Sequence, residues 1–142
     1  MGQQQLLLLV LGAIIVGLAI VVGINLFGQG AVKANEDAVR QDVLTMMARI
    51  EEYYRKPTML GGAGKTADSL AALTFPKIGY KFDMNGNSVT ETYTNENGIF
   101  DLNGTATTAD ITAKLKEDTT LTVKYELSFD TNGKTVIAPV AN

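Results

Sequence analysis

Two residue types on which many catalytic and metal centres depend are missing from this chain. The 142-residue sequence contains no cysteine and no histidine. This excludes disulfide bonds and thiolate metal sites, and it removes the commonest general base and metal ligand. No carboxylate pair, serine–base pair or metal-ligand cluster stands out among the remaining residues. We therefore expect no catalytic residue, no cofactor and no metal site, and a protein that is not an enzyme.

Charge is scarce and unevenly placed. Twelve basic and fifteen acidic residues give a net charge of −3, without the basic excess that nucleic-acid-binding surfaces usually show. No charged side chain occurs before Lys33. We expect no nucleic-acid partner, and the long uncharged stretch at the N-terminal end needs a different explanation.

That stretch contains one long apolar run. From Leu6 to Phe27 every residue is apolar, glycine or alanine except Asn25. As a helix rising about 1.5 Å per residue, the run matches the roughly 30 Å hydrocarbon core of a bilayer, and its flanks differ from those of a cleaved secretory signal. The sequence predicts one membrane span with its N-terminus inside. Its large side chains are Leu6, Leu7, Leu8, Leu9, Val10, Leu11, Ile14, Ile15, Leu18, Ile20, Val21, Ile24 and Phe27.

The helical signal continues beyond this run. Apolar residues that share one helix face follow at spacings of three, four and seven. They are Val32, Val39, Val43, Met46, Ile50 and Tyr53. Opposite charges four residues apart support the helix; the pairs are Lys33–Asp37, Glu36–Arg40, Glu51–Arg55 and Glu52–Lys56. Because Pro57 and the glycines after it end this pattern, we predict one helix from about residue 3 to about residue 55.

The remaining sequence indicates short strands and turns. Residues 58–76 are expected to form a connecting loop, and four Asp/Asn-x-Asn-Gly motifs are expected to be tight turns. These motifs are Asp83–Gly86, Asn95–Gly98, Asp101–Gly104 and Asp130–Gly133. We expect strands at 78–82, 88–94, 120–129 and 134–138, and for residues 108–116 we favour a short helix capped by Thr108 over a strand.

These patterns divide the chain into three parts. Residues 1–30 form a hydrophobic helix half that lies in a membrane or a filament core, and residues 31–56 form an amphipathic helix half. Residues 57–142 contain the connecting loop and a C-terminal antiparallel β-domain. The predicted fold class is α+β, with a long N-terminal helix packed by its C-terminal half on a small antiparallel sheet.

Two further motifs have simpler structural explanations. Gly61–Thr66 resembles the end of a phosphate-binding loop, but Met59 stands where the first glycine is required and a helix precedes it. The Asp and Asn side chains of the turn motifs offer oxygen ligands of the kind that Ca²⁺ takes, but their spacing is not that of an EF-hand. Hairpin turns explain these motifs without a metal.

A hydrophobic N-terminal helix that continues as an amphipathic helix and packs on an antiparallel sheet resembles the type IV pilin superfamily. Gln5-Leu-Leu-Leu-Leu-Val10 stands where that family usually has glutamate followed by an apolar run. Gln5 takes the place of the glutamate if Met1 is the mature first residue, and Leu7 takes it if a prepilin peptidase cuts after Gly2. The acidic residue is missing in both registers, so the chain resembles a divergent pilin or pseudopilin in which Met1, Gly2 and Gln5 serve processing and assembly.

The resemblance implies assembly rather than catalysis. The subunit would wait in the inner membrane as a single-span precursor surrounded by lipid, and would then join a helical homopolymer at the cell surface. A prepilin peptidase, an assembly ATPase and a platform protein are implied as partners, and methylation as a modification. The family's helix-breaking proline is absent, so Gly12, Gly17 and Gly23 are the expected places for local unwinding or close helix approach.

The function predicted from the sequence is a structural subunit of an extracellular type IV pilus-like filament. The alternative is a single-span membrane-anchored protein that displays a monomeric β-rich binding module. A lone anchor gains little from an amphipathic continuation without a linker, which favours the filament. An anchored sensor or enzyme is a third class, for which the sequence offers no chemical site.

Overall fold

The fold consists of one long helix followed by one sheet. The structure is a computed structural model that describes residues 2–66, 70–116, 118–129 and 135–139. Its elements are helix α1 (Gly2–Arg55) and strands β1 (Thr92–Thr94), β2 (Gly98–Gly104), β3 (Thr108–Leu115), β4 (Thr122–Phe129) and β5 (Thr135–Pro139). The strands form one sheet in the order β1-β2-β3-β4-β5, and each neighbouring pair is antiparallel. The predicted α+β class is confirmed.

Helix α1 is continuous where the sequence raised the question of a break. The three glycines expected to allow local unwinding or close helix approach, Gly12, Gly17 and Gly23, are all helical, so no unwinding occurs there. The helix ends at Arg55 because Pro57 follows. Two of the four predicted ion pairs form, between Glu36 and Arg40 at 2.5 Å and between Glu51 and Arg55 at 2.6 Å.

By its contacts the chain separates into two compact units, residues 1–35 and residues 36–142. Helix α1 contributes to both. In the second unit, most of its predicted apolar face is buried in a core shared with the sheet, whereas Tyr53 is only partly buried; Val32, in the first unit, is 40% exposed. Val39, Val43, Met46 and Ile50 are buried as predicted, and Met47 is buried beside them.

The sheet supplies the other side of this core through alternate residues. Phe100 and Leu102 of β2 are buried, as are Ile111 of β3 and Leu127 of β4. The backbones of β2 and β3 lie so close together at Gly98 that an added Cβ would be 2.5 Å from the Lys114 carbonyl oxygen. The pairing of β2 with β3 therefore requires glycine at this position.

The connection between α1 and β1 contains two short 3₁₀ turns, Thr58–Leu60 and Phe75–Ile78, each followed by a left-handed glycine, Gly61 or Gly79. Glycine adopts this conformation without the cost that a Cβ imposes. Tyr80 packs on Phe75 with ring centroids 6.1 Å apart. The connection therefore contributes to the core as well as joining two elements.

Two of the predicted turns are confirmed. The Asp83 carboxylate accepts hydrogen bonds from the backbone N–H groups of Asn85 and Asn87 at 2.9 and 2.7 Å, and Asn95–Gly98 joins β1 to β2. Asp130–Gly133 lies outside the described residues. The predicted strands at 120–129 and 134–138 correspond to β4 and β5, each with slightly different ends.

Three sequence predictions were wrong in detail. Residues 108–116 are not a short helix: β3 occupies Thr108–Leu115, because its alternate residues enter the core and pairing with two strands outweighs the local helix-capping signal. Asp101–Gly104 is not a turn but the end of β2. The strands expected at 78–82 and 88–94 reduce to one bridge between Phe82 and Ser88 and the short strand β1.

Candidate membrane and assembly segment

The candidate functional site is the helical stretch from Leu6 to Phe27, which we call the apolar segment. All thirteen large side chains predicted from the sequence for this role are between 49% and 84% exposed. Three more share their environment and were not among the predicted residues: Val16, Val22 and Leu26. The segment is long and apolar enough to cross a membrane.

The apolar segment is hydrophobic on every side. Four consecutive leucines, Leu6 to Leu9, cover more than a full turn at 3.6 residues per turn, and Asn25 is its one polar side chain. A helix that is apolar all round is stable where it is surrounded by lipid or by other apolar surfaces. The apolar segment therefore has no single face that is preferred for burial.

A groove runs along one side of the beginning of this segment. Its walls are formed by one helix only and are lined by Gln3, Leu6, Leu7, Val10, Leu11 and Ile14. These residues lie three and four positions apart, which is the spacing of the ridges and grooves through which helices pack on one another.

Small residues form a second surface feature of α1. Gly12, Ala19, Gly23, Gly30 and Ala34 recur at spacings of seven and four and fall within about 60° of one another around an ideal helix. A Cβ added at any of the three glycines would meet nothing within 4 Å. The packing of the described chain therefore does not require glycine at these positions.

The residues assigned to processing and assembly lie at the start of α1. Gly2 is its first residue and Gln5 is its fourth, while Met1 is outside the described residues. The first turn contains no acidic side chain. No acidic side chain in the first turn of α1 therefore replaces the glutamate that is usual in the type IV pilin pattern.

Outside the apolar segment, one polar cluster joins α1 to the β1–β2 turn. The Asp42 carboxylate accepts hydrogen bonds from the side-chain amides of Asn95 and Asn97, both at 2.8 Å. The Asn95 side-chain oxygen accepts from the backbone N–H groups of Asn97 and Gly98 at 2.9 Å. The sequence indicated this turn but not its partner, because no local pattern connects residue 42 with residues 95 and 97.

A mixed-charge cleft of about 210 Å³ lies beside the end of α1. It is lined by Arg49, Glu52, Tyr53, Lys56, Lys77, Ile78 and Gly79. The Arg49 guanidinium lies 5.2 Å from the centroid of the Tyr80 ring, and burial raises the pKa of the Tyr80 phenol above its ordinary value. Lys77 donates a hydrogen bond to the Ala72 carbonyl. Arg49 and Lys77 thus have contacts within the fold itself.

The described residues contain no group of three or more Asp and Glu side chains that could hold a metal ion. Gly61–Thr66, the segment that resembles a phosphate-binding loop, follows the 3₁₀ turn at Thr58–Leu60, and the Thr66 hydroxyl donates to the Ala63 carbonyl at 2.9 Å.

Comparisons with protein-family models, with curated proteins and with solved structures find no match for this chain.

Proposed function

We propose that this protein is the structural subunit of a helical filament, held in a membrane by its apolar segment before assembly and buried by copies of itself afterwards. The observation that carries the proposal is the exposure of every large side chain between Leu6 and Phe27 on a helix that is apolar all round. Such a surface requires a cover of the same chemistry.

The free energy gained by removing this segment from water is large compared with the stability of a folded domain. Each large apolar side chain gains about 1.5–3 kcal/mol when it leaves water, so covering this segment contributes on the order of tens of kcal/mol. A domain is typically stable by only about 5–15 kcal/mol. Lipid and neighbouring apolar helices both provide that cover, which makes transfer from one to the other plausible and transfer to water strongly unfavourable.

The glycines favour a filament over a lone anchor. Glycine in a helix interior costs about 0.5–1 kcal/mol relative to alanine, and the packing of the described chain does not require Gly12, Gly23 or Gly30. Small residues four apart, such as Ala19 and Gly23, let helix backbones approach closely in an apolar environment. A self-associating helix gains from this approach, whereas a single helix in lipid does not.

The remaining roles follow by resemblance to type IV pilins. A prepilin peptidase, an assembly ATPase and a membrane platform are the proposed partners, and the inner membrane followed by the cell surface is the proposed location. A glutamine at position 5 accepts a hydrogen bond from a neighbouring terminal amine but does not neutralise its charge, which is costly when buried among apolar helices. We propose a structural role and no enzymatic activity.

The experiment is electron microscopy of filaments sheared from native cells, with intact-mass analysis of the subunit in the same preparation. The proposal expects thin helical filaments composed of this chain. The subunit mass separates a chain that begins at Met1 from one cut after Gly2, and so decides between Gln5 and Leu7 as the residue in the glutamate's position. Recovery of the chain only as a monomer in the membrane fraction would contradict the filament.

A second candidate is a membrane-anchored binding module. It is favoured by the second unit, residues 36–142, which has a core of its own built from α1 and the sheet, and by a helix long enough to cross a bilayer once. Cross-linking in intact cells discriminates the two functions. An anchored module gives monomers at every concentration of cross-linker, whereas a filament subunit gives a ladder of multiples.

A further inference from the structure

One of the three Asp/Asn-x-Asn-Gly motifs that the structure describes has no turn to explain it. Asp101–Gly104 lies within β2, where Asn103 pairs with Asp110 and Gly104 pairs with Ala109 of β3. At Asp83–Gly86 and Asn95–Gly98 the same motif forms a turn stabilised by its own side chains. The asparagine and glycine of the third motif therefore need separate explanations.

The glycine is explained by packing and the asparagine is not. A Cβ added at Gly104 would lie 2.0 Å from the Leu70 carbonyl oxygen, so the loop leaves no room for a side chain. Asn103 is exposed, and its carboxamide makes no hydrogen bond to any described residue. By contrast, Asn95 and Asn97 donate to Asp42.

The residues after Asn103 complete a known acceptor pattern. Asn103-Gly104-Thr105 is an Asn-x-Thr sequence whose middle residue is not proline, and no other asparagine of the chain is followed two positions later by serine or threonine. This pattern is the acceptor for N-linked glycosylation in exported proteins. The pattern thus coincides with an exposed asparagine whose side chain makes no hydrogen bond to any of the residues that the structure describes.

The position in the sheet leaves room for a sugar chain. Phe100 and Leu102 point from β2 into the core, so Asn103 lies on the opposite face of the sheet. Thr105 lies in the connection to β3, where its hydroxyl is 2.5 Å from the Thr108 hydroxyl. A glycan attached at Asn103 would extend into solvent without displacing a core residue.

We propose that Asn103 is an N-glycosylation site, modified after the β-domain has crossed the membrane. The proposal rests on the export that the proposed function includes. The donor class is a glycan activated as a phosphate or pyrophosphate ester at its anomeric carbon. The Asn103 amide nitrogen forms a bond to that carbon and loses a proton, while the carbon–oxygen bond breaks and the phosphate group leaves with the electron pair.

The test is peptide mass analysis of the full chain from native cells, together with digestion by protease added outside the cells. The tryptic peptide 82–114 contains Asn103. We compare Asn103→Gln and Thr105→Ala with two matched controls, Thr105→Ser, which keeps the acceptor pattern, and Thr107→Ala, which lies in the same connection but outside the pattern. Asn103→Gln also keeps the fold, since its carboxamide has no partner among the described residues.

The expected result is a mass increase of at least one sugar residue, located on Asn103. It is lost in Asn103→Gln and Thr105→Ala and kept in both controls. An unmodified peptide, or a mass increase that persists in Asn103→Gln, would overturn the proposal. The added protease keeps the two proposals apart. An accessible, unmodified chain overturns glycosylation alone; a modified chain without filaments upholds it while the filament fails; and an inaccessible, unmodified chain counts against both.

Discussion

The two halves of α1 have the same backbone conformation, but their large apolar side chains differ in how far they are buried. Between Leu6 and Phe27 every large side chain is exposed, whereas in the second half Val39, Val43 and Ile50 are fully buried. The second half meets its apolar partners within the same chain, in the β-sheet. The first half has no such partner among the residues with which it shares a compact unit. A continuous helix can therefore have one half whose apolar side chains are buried by its own chain and another half whose apolar side chains are exposed.

The difference between the halves follows from their patterns of apolar and charged residues. The second half has one apolar face and charged residues elsewhere, a pattern that suits one sheet on one side. The first half has no such periodicity and no charge. A helix of this composition has to be covered on all sides, which one small sheet cannot do.

The largest expected effect comes from a substitution in the core that buries the second half of α1. Phe100→Ala removes a fully buried ring and should lower the free energy of unfolding of the β-domain by about 3–5 kcal/mol. The measurement is urea unfolding of the detergent-solubilised chain, followed by tyrosine fluorescence. Phe82→Ala, at a side chain that is 63% exposed, is the control and should change stability by less than about 0.5 kcal/mol. Equal effects of the two substitutions would contradict the assigned core.

A charge placed in the first half should act on membrane insertion and assembly instead. Leu18→Lys introduces a cation at the middle of the apolar segment, which costs about 2.5–3.5 kcal/mol in a bilayer, roughly a hundredfold in an equilibrium. We expect loss of filaments and of the membrane-bound chain, with the β-domain still folded. Ala48→Lys, at an exposed position of the second half, is the control and should leave both unchanged. Normal filament yield from Leu18→Lys would disprove the role of the segment.

A smaller effect is expected where the second half is held by polar contacts. Asp42→Ala leaves the side-chain amides of Asn95 and Asn97 without their acceptor, and hydrogen bonds to a charged group contribute about 1.5–3 kcal/mol. Thermal unfolding should show a loss of that size. Asp42→Asn keeps an acceptor oxygen and should lose less. If both variants unfold like the original chain, the cluster does not fix the β1–β2 turn.

The smallest expected effect depends on pH. The backbone N–H of Asn87 and further hydrogen bonds in the same turn lower the pKa of the Asp83 carboxyl below its ordinary value of 3.8. Because the folded-state pKa is lowered, its contribution to stability is complete above the ordinary value and is lost as the pH falls through the lowered pKa. Thermal unfolding of Asp83→Asn should therefore depend less on pH in the acid range. If Asp83→Asn had the same pH profile as the original chain, the hydrogen bonds to the Asp83 carboxylate would make no contribution to stability.

Sequence reasoning reached the features that depend on period and composition. The extent of α1 and most of its buried face follow from residues spaced for a helix. The exposed side chains of the apolar segment follow equally from composition. These are properties of a local stretch, and no distant contact is needed to infer them.

Features that depend on distant contacts could not be inferred in the same way. Residues 108–116 carry a helix-capping threonine, and only their pairing with β2 and β4 makes them a strand. Asp101–Gly104 has turn residues, yet burial of Leu102 extends β2 through it. The Asp42 cluster joins positions more than fifty residues apart. In each case tertiary pairing outweighs local propensity.

The most direct test of the account asks what covers the apolar segment once lipid is gone. Because the chain contains no cysteine, a single cysteine can be placed at Ala19, within the segment, or at Ala48, on the exposed part of the second half. Sheared, detergent-washed filaments are then exposed to a water-soluble maleimide. We expect the cysteine at position 19 to be protected until the filaments are dissolved, and the cysteine at position 48 to react at once. Equal reaction at both positions in intact filaments would contradict burial of the apolar segment by copies of the same chain.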